Sequence, residues 1–172
     1  MRTAKEFSDG FNDEESADSE QYLTFLLNEQ AYAVDILNIQ GIQGWVSCTP
    51  LPNTPDHILG VINLRGAIVP IIDLRIRFNT PSVEYNDLTV VVVVKVRHGD
   101  SEKVVGLVVD AVSEVYNIYQ KQLNAPPEFG AGVDIAYVQE LAMVNDSLVI
   151  ILNVDKLIEE SVLANLDIPN VA

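Results

Sequence analysis

Side chains that could support covalent or metal chemistry are few in this sequence and far apart. His57 and His98 are the only histidines, Cys48 is the only cysteine, and neither histidine lies in a metal-ligand spacing motif. No G-x-S-x-G elbow, P-loop or familiar Cys–His signature occurs, and Gly130-x-Gly132 lacks the third glycine of a dinucleotide-binding fingerprint. Carboxylates are plentiful, but on an acidic domain most of them are solvated surface charge. The sequence therefore predicts no enzyme activity, no metal and no cofactor, with a small β-barrel enzyme as the alternative.

The charge balance argues against two classes of partner. The chain carries 25 acidic and 10 basic residues, a formal net charge of −15. Proteins that bind nucleic acids or anionic membranes supply Lys and Arg to phosphates, so neither partner is expected. No apolar segment follows Met1, and the longest apolar stretch, around Val90 to Val94, is too short to span a bilayer. One cysteine permits no intrachain disulfide, which fits the reducing cytosol, so a cytoplasmic location is expected.

The elements that must position any site are mostly short strands. Runs rich in Val, Ile and Leu alternate with turn signals, as in all-β barrels and sandwiches. The predicted strands cover residues 23–27, 31–34, 60–64, 67–74, 88–96, 104–109, 112–118 and 148–152. The β-branched run from Leu88 to Val96 predicts a strand buried on both faces, and Arg65-Gly66 predicts a tight hairpin turn. Asp35 is predicted to cap a helix that carries Ile36 to Ile42, and Asp155 to cap a final helix. The polar break at residues 79–87 divides the strands into two sets, which suggests two small barrels, and no sequence repeat is evident.

The chain divides into a tail, a domain and a short end. Between Glu6 and Glu20 there are seven acids and no Lys or Arg, so residues 1–20 are predicted to form a disordered acidic tail. Residues 21–165 form the predicted domain, and residues 166–172 a C-terminal tail.

One long motif resembles a known family. Gly60 to Arg75, which reads GVINLRGAIVPIIDLR, resembles the central motif of the chemotaxis coupling proteins, the CheW family. Residues 33–39, 106–115 and 148–157 also agree with that family in order and spacing, so the resemblance covers about residues 20–165. It implies an all-β fold of two five-stranded SH3-like barrels packed on a shared hydrophobic core, with short helices including one at the C-terminus.

The same resemblance implies a non-catalytic adaptor without a cofactor. Such an adaptor couples the cytoplasmic tip of chemoreceptors to the regulatory domain of the histidine kinase CheA, in receptor arrays at the inner membrane. Two alternatives share the fold: an auxiliary coupling protein of a non-motility chemosensory pathway, and a general peptide-binding SH3-like module. A peptide-binding SH3-like module usually needs an aromatic-lined groove, and Trp45 with six tyrosines offers few aromatic side chains for one.

The resemblance also assigns candidate partner-binding residues. The implied receptor groove between the lobes contains Leu23, Ile36, Ile39 and Val112. Asn63 and Arg65 are implied to contact partners from an exposed turn. Gly60, Gly106 and Val115 match positions at which the family's coupling is sensitive to substitution.

Two further expectations concern which way these side chains face. The family match favours partial exposure for Ile39 and a core position for Ile42. Val112 and Val115 lie three residues apart on a predicted strand, so they should face opposite sides. At most one of these two valines is then expected to line a given groove.

Overall fold

The structure, a computed structural model, describes residues 19–81, 84–126 and 135–159. The described residues are mostly β-strand. The strands are β1 Ser19–Leu27, β2 Gln30–Asp35, β3 Ile39–Gly44, β4 Ile58–Leu64, β5 Ala67–Asp73, β6 Val90–His98, β7 Ser101–Val109, β8 Ala111–Tyr119, β9 Leu123–Asn124, β10 Val138–Val144 and β11 Ser147–Leu152. The α-helices are α1 Leu74–Arg77 and α2 Val154–Glu159, and single 3-10 turns cover Ile36–Asn38, Gln120–Gln122 and Ile135–Tyr137.

These strands form two sheets, which confirms the predicted all-β fold of two lobes. Lobe 1 is the five-stranded sheet in the order β3-β6-β7-β5-β4, and lobe 2 is the six-stranded sheet β8-β1-β2-β11-β10-β9. The sixth strand of lobe 2, β9, has only two residues. The predicted division at residues 79–87 is wrong, because β6 and β7 follow that break and still pair with β3 and β5 of lobe 1.

Both lobes follow one plan, and the chain exchanges strands between them. The order β3-β6-β7-β5-β4 matches β8-β1-β2-β11-β10, with one parallel pair at the same place in each lobe. The β4–β5 hairpin pairs Gly60 with Ile71 after a bulge, and the β10–β11 hairpin pairs Glu140 with Ile151 after the same bulge. The fold therefore contains a structural repeat that the sequence does not reveal. Each lobe combines strands from both halves of the chain.

The valine run of β6 shows why the two lobes hold together. Val92, Val94 and Val96 lie in the core shared by the lobes, whereas Val91 and Val93 lie in the separate core of lobe 1. Successive side chains of a strand point to opposite faces, so a strand between two cores must be apolar at every position. This confirms the prediction of a strand buried on both faces.

Several predicted boundaries need correction. β1 begins at Ser19, two residues before the predicted domain start, while the rest of the predicted acidic tail and the 165/166 boundary lie outside the described residues. Asp35 does accept a hydrogen bond from the Leu37 amide at 2.9 Å, but the helix is a single 3-10 turn and residues 39–44 are β3. Pairing with β6 and two glycines, which disfavour helix, explain that difference. The final helix is confirmed, although Asn153 rather than Asp155 caps it, accepting from the Lys156 amide.

Candidate functional site

The rim of the shared core is composed of residues from both lobes. Ile36 lies in the 3-10 turn between β2 and β3, and Ile39 begins β3, where it pairs with Val94. Val112 lies in β8 of lobe 2 and pairs with Phe25. Ile36, Ile39 and Val112 are all half-buried and pack against the same shared core. The structure thus brings three of the four predicted groove residues to one core, each with part of its surface outside, and Ile39 is partly exposed as predicted.

A bulge in β8 changes which way its valines face. The register pairs Val112 with Phe25 and Val115 with Leu23, and both of these partners lie in the shared core. Residues directly opposite each other in a sheet share a face, so both valines lie on the side of the shared core. The expectation that they face opposite sides is wrong, because the bulge inserts an extra residue between them. Val115 is 47% exposed, so it extends the rim outward.

The bulge depends on a side chain in the neighbouring strand. The Thr24 hydroxyl donates to the Glu114 carbonyl at 2.7 Å and accepts from the Glu114 amide at 3.1 Å. These two bonds satisfy the backbone groups that the irregular ladder would otherwise leave unpaired.

Three predicted site residues are buried rather than exposed at a surface. Leu23 is 3% exposed and belongs to the shared core. Gly60 has φ +140° and a side-chain carbon there would lie 2.1 Å from the Thr49 carbonyl oxygen. Gly106 is also buried, next to Ile71. The structure gives both glycines a steric role inside lobe 1, so substitution there acts first on packing.

The tip of the β4–β5 hairpin carries Asn63 and Arg65, the two polar residues that are predicted to contact partners. Arg65 and Gly66 have φ values of 54° and 88°, and the Gly66 amide donates to Asn63 Oδ1 at 2.9 Å. A two-residue turn with two positive φ values matches the twist of a hairpin and is usually built from Asn or Gly. The Asn63 side chain therefore closes the turn, and the exposed Arg65 occupies a position that is unfavourable for arginine.

A cleft of about 230 Å³ lies beside this tip. Residues 40–43 of β3 form one wall, residues 64–65 and 67–69 form the other, and Val93 and Val104 also line the cleft. Arg65 is the charged residue among the lining side chains. Ile42 is 51% exposed on its wall, which corrects the expectation of a core position. β3 is an edge strand, so its outer side chains cannot be covered by a neighbouring strand.

Sequence reasoning missed the most exposed aliphatic side chain of the rim region. Leu37 is 88% exposed and lies between Ile36 and Asn38 in the 3-10 turn. The prediction of a longer helix hid it, because helical aliphatics are usually core residues. One sequence signal could have indicated the exposure of Leu37. Only three residues separate the Asp35 cap from the β-branched Ile39, which leaves room for a single turn, and a single turn leaves one of the adjacent Ile36 and Leu37 side chains facing outward.

A buried charged cluster lies at the end of β5. Arg75 Nε and Nη2 donate to the two carboxylate oxygens of Asp73 at 3.1 and 3.0 Å, and Arg75 Nη1 donates to Asp110 Oδ1 at 3.2 Å. The Tyr85 hydroxyl donates to Asp73 Oδ2 at 2.9 Å, and the Tyr85 ring stacks on Trp45 with centroids 4.0 Å apart. Burial lowers the pKa of Arg75, but the bond to Asp73 and the charges of Asp73 and Asp110 outweigh it and raise that pKa. Burial and the bond to Asp73 raise the pKa of Tyr85 to about 12.

The remaining ionisable groups do not assemble into a metal centre. Over the described ranges, no group of three or more His, Cys, Asp or Glu side chains is arranged to hold a metal ion. Burial, and next the charge of Arg77, lower the pKa of His57. Burial raises the pKa of the Cys48 thiol, which reduces its reactivity. Within the described residues, no helix is both long and apolar enough to cross a membrane.

Comparison with known proteins places this geometry in a family. The family model described as "CheW-like domain" matches residues 21–162. The chain is 39% identical over 148 residues to the chemotaxis protein CheW of Klebsiella aerogenes, covering 86% of this chain and 87% of that protein. It is 33% identical over 157 residues to the chemotaxis protein CheW of Helicobacter pylori, covering 91% and 92%. The crystal structure of the scaffolding protein TtCheW from Thermoanaerobacter tengcongensis superimposes with a TM-score of 0.72 at 33% identity, covering 78% of this chain and 89% of that one.

Proposed function

The chain belongs to the CheW-like domain family, and from that premise we propose that it is a non-catalytic adaptor coupling chemoreceptors to the histidine kinase CheA in chemotaxis signalling. The relatives named chemotaxis protein CheW are matched over most of their length, and one solved relative is described as a scaffolding protein. An adaptor needs separate binding surfaces and no reacting groups, which fits the rim of the shared core and the hairpin tip of lobe 1.

The observation that carries the proposal is the composite rim of the shared core. Ile39 lies in lobe 1, Ile36 lies in the turn that crosses between the lobes, and Val112 lies in lobe 2. Half-buried apolar side chains from both lobes suit the apolar face of an amphipathic helix, and the cytoplasmic tip of a chemoreceptor is the proposed ligand. The exposed Leu37 and Val115 add apolar surface on each side.

The hairpin tip of lobe 1 is the proposed contact for the regulatory domain of the kinase. Arg65 is exposed beside a cleft with mostly apolar and amide walls. In a chain of net charge −15, an exposed cation at a fixed turn is a distinctive feature for an acidic partner surface. Peptide-binding grooves of SH3 domains are lined by aromatic rings, whereas the lining of this cleft is aliphatic and amide-rich, so the adaptor function is favoured.

Two surfaces on one small protein explain how coupling works without catalysis. When an adaptor holds one partner, the second partner binds at a raised effective concentration. Receptor state can then alter kinase activity through a coupling free energy of about 1–3 kcal/mol, the usual range for linked sites. The proposal places the protein in the cytoplasm, at receptor arrays on the inner membrane, without direct insertion into the bilayer and without binding nucleic acid.

Co-sedimentation with a receptor fragment and the kinase tests this function. The purified chain should pellet with receptor-bearing membranes, and the kinase should pellet only when this chain is present. Ile39→Asp should remove receptor binding and keep kinase binding, since a carboxylate would lose its water in an apolar groove. Loss of cooperative unfolding in Ile39→Asp, or loss of both partners together, would assign Ile39 to the core and contradict the groove. Failure of the unmodified chain to bind either partner would refute the adaptor function.

A further inference from the structure

The chain passes between the lobes at only two places among the described strands. It leaves lobe 2 for lobe 1 between β2 and β3, and it returns between β7 and β8. The second crossing consists of one residue, Asp110, because β7 ends at Val109 and β8 begins at Ala111. The backbone conformation and bonds of Asp110 therefore affect how lobe 2 is oriented on lobe 1.

Asp110 is bonded to both lobes at once. Its amide donates to the Leu26 carbonyl at 3.0 Å, and its Oδ2 accepts from the Asn28 amide at 2.8 Å. Leu26 lies in β1 of lobe 2, and Asn28 lies in the turn that follows. Its other carboxylate oxygen, Oδ1, accepts from Arg75 of lobe 1 at 3.2 Å. One carboxylate thus spans the junction.

The lobe 1 side of this contact is held rigidly. The Arg75 side chain is 2% exposed, bonded through two nitrogens to Asp73 and placed 4.9 Å from the centre of the Tyr85 ring. A guanidinium with two bonds to one carboxylate has little freedom to follow a moving partner. Movement of lobe 2 would therefore lengthen the Arg75–Asp110 contact, because the Arg75 guanidinium cannot follow Asp110.

The barrel plan itself does not require this cluster. The β10–β11 hairpin of lobe 2 corresponds to the β4–β5 hairpin of lobe 1 with an offset of 80 residues, since Glu140 pairs with Ile151 as Gly60 pairs with Ile71. At the corner where that hairpin ends, Asn153 and Asp155 take the places of Asp73 and Arg75. That corner closes with a bond from the Lys156 amide to Asn153 and has no buried arginine. Burying a guanidinium costs desolvation that an ion pair often fails to recover. The buried Arg75 cluster must therefore meet a structural need that lobe 1 has and lobe 2 lacks.

We propose that the Arg75–Asp110 pair is an interlobe latch that positions the second crossing and so sets the separation of Ile39 and Val112 in the proposed receptor groove. Val112 lies two residues after Asp110, so it is the rim residue nearest in sequence to this crossing. Arg75 and Asp110 act as positioning residues in this scheme. The inference rests on the proposed function for the groove itself and for the receptor tip as its ligand.

Distance measurement on the free protein tests the latch without any partner. Spin labels on Asp100→Cys in lobe 1 and Asp146→Cys in lobe 2, in a Cys48→Ser background, report the separation of two exposed turns by double electron–electron resonance. Asp110→Asn weakens the contact to Arg75, and we expect the distribution to shift or broaden by more than about 2 Å. Tyr85→Phe is the matched control, because it removes a bond to Asp73 within lobe 1 and leaves the crossing intact. We expect Tyr85→Phe to leave the distribution unchanged.

Binding to a receptor-tip fragment adds a second readout. We expect Asp110→Asn to weaken that binding about fivefold or more, with kinase binding kept, and Tyr85→Phe to change neither. An unchanged distance distribution in Asp110→Asn overturns the latch, whatever happens to binding. Loss of cooperative folding in Asp110→Asn also overturns it, because a latch orients lobes that fold without it. A changed distribution with unchanged receptor binding upholds the latch and refutes the receptor function of the groove.

Discussion

Replacing Gly106 by alanine should destabilise lobe 1 without removing a partner contact. A side-chain carbon at this position would lie 2.5 Å from Ile71 Cδ1 and 2.7 Å from Val91 Cγ1. Carbon atoms prefer about 3.5–4.0 Å, so each neighbour must retreat by about 1 Å. The Ile71 methyl is the end of a side chain, but Val91 is short and packed in the core of lobe 1, so the strain cannot be fully relieved.

The magnitude follows from two opposing terms. Overpacking a dense core costs about 1–3 kcal/mol, and removing a strand glycine recovers about 0.5–1 kcal/mol. Taking the middle of each range, the net loss should be about 1 kcal/mol, or about 2–4 °C in melting temperature for a chain of this size. Denaturant unfolding followed by circular dichroism measures it, and binding to the receptor fragment and to the kinase should remain once the variant is folded.

Lobe 2 supplies the matched control for Gly106. Ala33 takes the corresponding place there, because it pairs with Ile151 as Gly106 pairs with Ile71, and it is fully buried. Ala33→Gly should also destabilise, by about 1 kcal/mol, since it removes a packed methyl and adds chain entropy. Unchanged or increased stability in Gly106→Ala would refute the steric argument. Lost binding at unchanged stability would show instead that Gly106 lies in a partner interface.

Three further variants test the surfaces and the pH response. Leu37→Asp should weaken receptor binding about tenfold at unchanged stability, because the Leu37 side chain is 88% exposed. Leu148→Asp in lobe 2, where the side chain is 44% exposed, is the control. Equal losses of receptor binding by the two variants in a pull-down would contradict a role for Leu37. Arg65→Glu should weaken kinase binding about tenfold, with stability changed by less than about 0.5 kcal/mol, and normal kinase activation in a reconstituted complex would make Arg65 a solvated turn residue. The pKa of His57 is lowered on folding, so its neutral form contributes stability that is complete above pH 6.5 and is lost as pH falls through the folded pKa. The melting temperature should therefore fall more steeply between pH 7 and pH 5 for the unmodified chain than for His57→Gln. An equal fall in melting temperature for the two proteins would contradict this.

Local patterns in the sequence predicted elements well and their long-range pairing poorly. The uninterrupted valines of β6 and the Arg65-Gly66 turn predicted a doubly buried strand and a hairpin, because each signal lies within a few neighbouring residues. The assignment of β1 and β2 to lobe 2 depends on pairing with β8 and β11, far along the chain. No local signal records such a partner, so the break at residues 79–87 predicts a lobe boundary that the strand pairing does not have.

The facing of site residues could not be predicted for a similar reason. Val112 and Val115 share a face only because the Thr24 hydroxyl holds a bulge at Glu114, 90 residues away. Nothing near Arg75 in the sequence indicates burial, because its partner Asp110 lies 35 residues further along the chain. The family resemblance supplied candidate positions, whereas burial of Leu23 and of the two glycines required the fold.

Strand exchange also explains why the candidate groove lies where it does. The chain crosses between lobes at Ile36–Asn38 and at Asp110, and the rim residues Ile36, Ile39 and Val112 lie within two residues of a crossing. The first crossing is held by Asp35, which accepts from the Leu37 amide, and by Asn38 Nδ2, which donates to the Lys95 carbonyl at 3.2 Å. Any change in the angle between the lobes must be absorbed at these two short segments, because every other connection of the described strands stays within one lobe. In the proposed function, a receptor tip that binds across the groove would therefore contact residues next to both crossings, which are the two places where the chain joins the lobes.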